Sequence, residues 1–168
     1  MIAMTSSELF QRAALYCQHH RSSIVRELGS GTDGSVWETN RRTAVKILKL
    51  PQTFQQELES YRRLFQANIT EICGYAVPRL IDFSVPLLAI EIDIVQPPRI
   101  LDFGKVTLDR PPDFSEQTMA DWNDLQQELW GDHWPTIQKI LARLRSLGIY
   151  YSDPNPYNIT PENWDPEL

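Results

Sequence analysis

The sequence predicts an α+β protein in which a five-stranded antiparallel sheet and one packed helix precede a helical region. Residues 24–28 and 35–39 alternate between apolar and polar side chains, as half-buried strands do. Residues 51–65 instead carry apolar side chains at helical spacing. The 168 residues, 42% of them hydrophobic, suffice for one core. We therefore expect a single domain over residues 1–168.

The first element is an expected N-terminal helix within residues 1–22. Ser6 or Ser7 can cap it, because a hydroxyl oxygen accepts from the free amide groups of a first turn. His19 and His20 stand near its end. Adjacent helical residues point about 100° apart, so we interpret this pair as C-terminal residues favoured by the helix dipole, not as metal ligands.

A glycine-rich turn joins the first two strands of the expected first lobe, residues 23–96. Gly29, Gly31 and Gly34 form G-x-G-x-x-G, and a backbone without Cβ atoms can bring its amide groups close to phosphate oxygens. A dinucleotide-binding fingerprint requires a helix after these glycines. Because a strand follows here, the pattern indicates a nucleotide phosphate site of another kind.

The third strand, residues 43–48, is apolar apart from Lys46. A buried lone ammonium group is costly, so Lys46 requires a carboxylate or phosphate partner. Glu57 lies at the margin of the apolar face of the helix that begins at Pro51, which makes it the expected partner. The alternative is an edge-strand lysine that extends into solvent.

Two further strands over residues 78–83 and 87–95 complete the predicted sheet. The prolines that follow cannot donate backbone hydrogen bonds, which places a boundary between two lobes near residue 97. We therefore treat residues 97–112 as a hinge and linker.

Residues 113–168 are expected to form a shortened second lobe with two helices. Ser115 can cap the first helix, Asp132 can cap the second, and Gly148 is expected to end the second.

A polar loop follows the second of these helices. Asp153 and Asn158 are five residues apart in a stretch that prolines stiffen, which matches the D-x-x-x-x-N of a kinase catalytic loop. In that chemistry the carboxylate accepts a hydroxyl proton and the amide oxygen holds magnesium. The alternative is a plain turn, because Asp-Pro and Asn-Pro pairs are themselves turn formers.

Together these motifs resemble the protein-kinase-like superfamily over roughly residues 23 to 160. The amino-acid sequence of the loop resembles the atypical bacterial branch of that superfamily, including aminoglycoside-phosphotransferase relatives. The resemblance implies ATP and magnesium as cofactors, with Asp153 as catalytic base, Lys46 on the α- and β-phosphates, and Asn158 on the metal. It implies nucleotide contacts from Gly29, Gly31, Gly34, Val36, Lys46 with its partner Glu57, and the hinge residues Val95 and Gln96.

The sequence departs from this family at several points. Tyr151 and Ser152 replace the usual histidine and arginine, and Asn155 stands where protein kinases usually carry lysine. Residues 102–104 read D-F-G, but they precede the two helices, whereas the metal aspartate of the family follows the loop. We therefore interpret Asp102 as unrelated to the metal site and take Asp165 as the candidate second ligand.

Three functions remain open at this point. A minimal magnesium-dependent phosphotransferase would use Asp153 as base and act on an unknown substrate. A pseudokinase would bind nucleotide or a protein partner without phosphoryl transfer, which the short stretch after Asn158 favours. An oligomer in which another chain completes the second lobe is the third alternative.

Composition excludes other classes. The net charge is -6 and the basic residues are scattered, which disfavours nucleic-acid binding. The sequence shows no apolar run of the ~18 residues that a membrane span needs, so we expect no membrane insertion. Cys17 and Cys73 lack metal-site spacing and are interpreted as free thiols, which predicts a cytoplasmic protein.

Overall fold

A computed structural model describes residues 5–164. Its first half contains α1 (Ser6–His19), β1 (Ile24–Ser30), β2 (Gly34–Thr39), β3 (Thr43–Leu48), α2 (Pro51–Gln66), β4 (Glu71–Ile72), β5 (Tyr75–Ala76), β6 (Leu80–Ser84) and β7 (Ala89–Asp93). Its second half contains β8 (Arg99–Ile100), β9 (Val106–Leu108), α3 (Glu116–Trp130), a 3-10 turn (Gly131–His133), α4 (Trp134–Arg145), β10 (Ile149–Tyr151) and β11 (Ile159–Thr160).

The main sheet has five antiparallel strands in the order β1-β2-β3-β7-β6, which confirms the predicted α+β class. Strand β3 lies at its centre, and all six of its residues are buried. Because side chains alternate across a strand, Val45 and Ile47 pack under α1, while Ala44 and Leu48 pack toward α2. This double coverage explains why β3 reads as a nearly continuous apolar run.

Helix α1 is capped at its first turn and held to the sheet near its last turn. Thr5, not Ser6 or Ser7, caps it: its backbone amide donates to Glu8 Oε2 at 2.6 Å, and its hydroxyl oxygen accepts from the Glu8 amide. Near the other end, the Tyr16 hydroxyl donates to buried Glu91 on β7 at 3.0 Å. Glu91 therefore holds α1 against the back of the sheet.

Residues 97–112, expected to be a hinge and linker, contain two short strands. Strand β8 pairs antiparallel with β11, and β9 pairs antiparallel with β10. The turn between β8 and β9, residues 101–105, therefore lies beside the polar loop between β10 and β11. This pairing joins segments about 40 to 60 positions apart in the chain.

The helical region contains the two expected helices, but of their two predicted caps Ser115 is confirmed and Asp132 is wrong. Ser115 accepts a hydrogen bond from the Thr118 amide and caps α3, as predicted. Helix α4 begins at Trp134, because the 3-10 turn occupies the residues that include the expected cap, Asp132. Gly148 takes a φ of 73° just beyond α4, a conformation that suits glycine. Among residues 5–164, no helix combines the length and apolar character needed to cross a bilayer.

An aromatic cluster joins α2 to the second half of the chain. Phe103, in the β8–β9 turn, is fully buried. Its ring makes edge-on contacts with Tyr61 of α2, at 5.1 Å between centroids, and with Tyr151 of β10, at 5.6 Å. Such geometry is the favoured one for aromatic pairs, so the cluster fixes the turn between the sheet and the polar loop.

Gly34 tests the packing of the glycine turn. A Cβ at Gly34 would overlap the carbonyl oxygen of Ile47 on β3, whereas no atom lies within 4 Å of a Cβ placed on Gly31. We expect Gly34→Ala to lower the free energy of unfolding by about 1–3 kcal/mol, because the two strands must move apart. Gly31→Ala should change it by less than about 0.5 kcal/mol. Urea denaturation measures both, and equal losses would contradict this account.

Candidate active site

A cleft of about 970 Å³ separates the main sheet from the polar loop and the β8–β9 turn. It brings together the predicted site residues that the structure describes. These are Gly29, Gly31, Gly34, Val36, Lys46, Glu57, Val95, Gln96, Asp153 and Asn158. Asp165, the expected second metal ligand, lies outside the described residues.

Lys46 stands at the back of this cleft and is almost fully buried. Its Nζ lies 2.9 Å from Glu57 Oε1, to which it donates a hydrogen bond, and 2.8 Å from Glu57 Oε2. The partnership expected from the sequence is therefore present. The edge-strand alternative does not hold, because β3 lies between β2 and β7.

Asp102 also reaches Lys46, so the D-F-G lies in the cleft although its order in the chain predicted no place for it at the metal site. Lys46 Nζ donates to Asp102 Oδ1 at 3.0 Å, and the Gly104 amide lies 3.3 Å from the same oxygen. A Cβ on Gly104 would stand 2.9 Å from the Thr53 side chain and 3.3 Å from Asp102 Oδ1. Glycine at this position therefore allows the turn to approach α2.

Strand pairing brings the D-F-G beside the polar loop, although it precedes the two helices in the chain. The Leu101 amide donates to the Asn158 carbonyl oxygen at 2.7 Å, and Ile100 pairs with Ile159 in the β8–β11 ladder. Asp102 thus directly follows Leu101, whose backbone amide is hydrogen-bonded to Asn158 at the end of the polar loop. The short β-prone segments on either side of the D-F-G indicate that it joins two strands, but they do not indicate which strands pair with them.

The charged groups of this cluster shift one another's pKa values. Burial alone would raise the pKa of Asp102, but the Lys46 charge, the hydrogen bonds from Lys46 and Gly104, and the Lys105 charge together lower it. Complete burial raises the pKa of Glu57 more than Lys46 lowers it. Burial also opposes the charge on Lys46, but Glu57 and Asp102 outweigh it and raise the pKa of that ammonium group. Lys46 therefore remains charged between two carboxylates.

The polar loop is held by its own side chains. Asn155 Oδ1 accepts from the Tyr157 amide at 3.0 Å and from the Asn158 amide at 3.2 Å. Asn158 Nδ2 donates to the Asp153 carbonyl oxygen at 3.2 Å. Only the NH₂ end of an amide can donate to a carbonyl, so this bond leaves Asn158 Oδ1 available to another partner.

Asp153 stands nearer the mouth of the cleft, with its side chain 43% exposed. Lys105 Nζ approaches its Oδ2 at 3.4 Å. Sequence reasoning did not single out Lys105. The sole available signal was its position directly after the D-F-G.

The cleft is lined by apolar as well as charged side chains. Leu28, Val36, Ala44 and Leu101 line it, together with residues 94–96, which include the expected hinge residues. Among these, the Val95 carbonyl oxygen accepts a hydrogen bond from Arg99 Nη1 at 3.1 Å. A cleft with both apolar and charged walls suits a ligand that is itself partly flat and apolar and partly anionic.

Several solved aminoglycoside phosphotransferase structures are similar to this chain. The gentamicin complex of APH(2")-IIa has a TM-score of 0.40 and 21% identity, over 60% of this chain and 31% of that one. The ADP-bound aminoglycoside phosphotransferase APH(2'')-Ib has a TM-score of 0.41 and 19% identity, over 76% and 40%. The streptomycin–ATP ternary complex of APH(2")-IIa has a TM-score of 0.39 and 21% identity, over 74% and 38%.

This chain thus spans between 31% and 40% of the length of these three structures. No protein-family model matches it. No curated protein matches it either.

Lys46→Met tests the charge cluster through stability. Removing the cation leaves Glu57 buried without its partner, so we expect the free energy of unfolding to fall by about 3 kcal/mol near neutral pH. The folded-state pKa of Glu57 is already raised, so acidification protonates Glu57 in the folded state first and relieves this penalty. The protonation of Glu57 therefore narrows the difference between the two proteins from neutral pH toward about pH 5. The pKa of Asp102 is lowered, so the wild type keeps the stabilisation from Asp102 over this range and loses it only at more acidic pH.

Urea unfolding across this pH range measures the difference. The double variant Lys46→Met/Glu57→Gln is the control, because it removes the carboxylate together with the lysine. It should recover a large part of the loss. A single and a double variant that are equally destabilised at every pH would contradict the assigned cluster.

Proposed function

We propose that this protein binds ATP with Mg²⁺ in the cleft and transfers the γ-phosphoryl group to a hydroxyl acceptor, with Asp153 as the general base. The observation that carries this proposal is the convergence of Lys46, Glu57 and Asp102 on the same cleft as Asp153 and Asn158. One cation held between two acids, facing a carboxylate and a free amide oxygen, suits polyphosphate chemistry.

The glycine turn supports the nucleotide part of the proposal. Gly29 and Gly31 line the cleft, and a Cβ on either would meet no protein atom within 4 Å. The space beside their backbone is thus open to phosphate oxygens. Lys46 lies deeper in the same cleft and would contact the α- and β-phosphates, while Leu28, Val36 and Ala44 would enclose the base.

The donor set suits Mg²⁺. In the described part of the chain, no three His, Cys, Asp or Glu side chains cluster closely enough to hold an ion by themselves. Mg²⁺ is usually bound by one or two protein oxygen ligands together with phosphates. Asp102 and Asn158 Oδ1 would supply those ligands. When bound, the ion would neutralise charge on the β- and γ-phosphates.

In the proposed transfer step, the phosphoryl group moves from ATP to the acceptor hydroxyl and the proton moves to Asp153. A lone pair of the acceptor hydroxyl forms a bond to the γ-phosphorus. The bond from that phosphorus to the β–γ bridging oxygen breaks, and its electron pair leaves with ADP. The acceptor proton passes to the Asp153 carboxylate, which stands at the exposed mouth of the cleft where an acceptor can enter. Water in place of the hydroxyl gives ATP hydrolysis by the same step.

Asp153→Asn tests the base. We expect Mg²⁺-dependent phosphate release from ATP to fall by roughly 10²–10⁴-fold, because a positioned general base contributes about that much. ADP affinity, measured by calorimetry, should change little, because the glycine turn and Lys46, which would hold ADP, are separate from Asp153. Asp132→Asn, in the 3-10 turn, is the matched control and should retain full activity. A wild type that binds ATP without turning it over would instead favour a nucleotide-binding pseudokinase.

Asp102→Asn tests the metal ligands. We expect the Mg²⁺ concentration for half-maximal ATP binding to rise by roughly 10-fold or more, because a carboxylate ligand becomes neutral. Asp109→Asn, which removes an exposed partner of Arg63 outside the cleft, is the control. Titration of Mg²⁺ at fixed ATP, followed by calorimetry, measures the shift. An unchanged Mg²⁺ dependence in Asp102→Asn would contradict this assignment.

A further inference from the structure

We propose that Lys105 is a catalytic residue whose ammonium group binds the γ-phosphoryl group beside Asp153 during transfer. This inference rests on the proposed function and deepens it. It assigns the cation of the reacting end to the β8–β9 turn, not to the polar loop that carries the base.

The position of Lys105 is the first support. Its Nζ lies 3.4 Å from Asp153 Oδ2, and both side chains line the cleft while remaining about half exposed. The backbone fixes this placement: the Ser152 hydroxyl donates to the Lys105 carbonyl oxygen at 2.8 Å, and Val106 pairs with Tyr151. The stem of Lys105 therefore moves with the segment that carries Asp153, while its ammonium group can turn toward a ligand.

The distribution of charge is the second support. The ammonium group of Lys46 is already shared between Glu57 and Asp102. The two arginines that line the cleft also have partners, because Arg26 pairs with Glu38 at 2.6 Å and Arg99 donates to the hinge. An anionic phosphoryl group that approaches Asp153 would be repelled by that carboxylate. A lysine 3.4 Å from the same carboxylate offsets the repulsion.

Lys105 also belongs to the same turn as the proposed metal ligand. It lies three residues after Asp102 in the β8–β9 turn, and both side chains line the cleft. The turn therefore brings a cation and a carboxylate to the cleft that Asp153 also lines. A cation in such a place can stabilise charge on the equatorial oxygens of the transferred group.

The polar loop cannot supply this cation at position 155, because its conformation depends on the Asn155 side chain as an acceptor. The Asn155 side chain accepts from two backbone amides, those of Tyr157 and Asn158, and so shapes the turn that aims Asn158. A lysine at position 155 has no acceptor and would release both amides. A cation delivered by the neighbouring turn leaves this arrangement intact.

In the transfer step Lys105 keeps its three protons and donates hydrogen bonds to the γ-phosphoryl oxygens. The new bond forms between the acceptor oxygen and the phosphorus, the bond to the bridging oxygen breaks, and the acceptor proton goes to Asp153. Movement of Lys105 toward the phosphate also frees Asp153 Oδ2 to accept that proton.

Three variants test the assignment: Lys105→Met, Lys105→Arg and, as the charge-matched control, Lys139→Met on the exposed face of α4. The probes are ATP, ADP and Mg²⁺, with phosphate release and calorimetric affinities as the measurements. We expect Lys105→Met to lower turnover by roughly 100-fold, as removal of one stabilising donor does. It should also reduce the preference for ATP over ADP by roughly 10-fold, because the lost contact is specific to the γ-phosphate.

Lys105→Arg should keep turnover within about 10-fold of the wild type, because the positive charge remains. Lys139→Met should match the wild type in both measurements. If Lys105→Met weakens ATP and ADP equally, or behaves like Lys139→Met, the assignment of Lys105 fails while the proposed function stands. A wild type that neither binds nor hydrolyses ATP would overturn both.

Discussion

The buried ammonium group of Lys46 is the constraint on which the site depends. It stands on the central strand of the sheet, where an unpaired charge would be costly. Two carboxylates from different elements meet this requirement, Glu57 from α2 and Asp102 from the β8–β9 turn. The distance between the sheet, the helix and the turn is therefore set by one charged group. Each element that approaches Lys46 brings with it a part of the cleft.

Apolar packing holds the β8–β9 turn to α2 independently of these charges, and also to β10. Phe103 follows Asp102 and lies between Tyr61 of α2 and Tyr151 of β10. The ionic contacts and the aromatic contacts therefore come from neighbouring residues of one turn. Because the aromatic cluster is buried and the ionic cluster borders the cleft, one face of the turn contributes to stability and the other lines the cleft. Displacing it would break both sets of contacts at once.

The parts of the site that sequence reasoning predicted are those encoded by local patterns. The glycine turn, Lys46 and Glu57 follow from strand alternation and from the margin of one helical face, and the structure brings them together. Asp102 and Lys105 could not be placed in this way, because pairing between distant short strands decides their location. Two- and three-residue strands carry too little periodicity to indicate a partner. The cap of α1 was missed for a simpler reason, since serine is favoured over threonine as a cap by type and two serines directly follow Thr5.

The pairing of β8 with β11 and of β9 with β10 has a consequence for the architecture of such clefts. Strands β8 and β9 precede α3 and α4 in the chain, yet they pair antiparallel with the two strands that flank the polar loop after those helices. The two helices connect these strands, and α3 packs chiefly against α4 and the 3-10 turn. A cleft of this kind is defined by which strands are neighbours and does not depend on the order in which the chain reaches them. A chain that connected the same strands in another order would therefore place the same side chains around the same cleft.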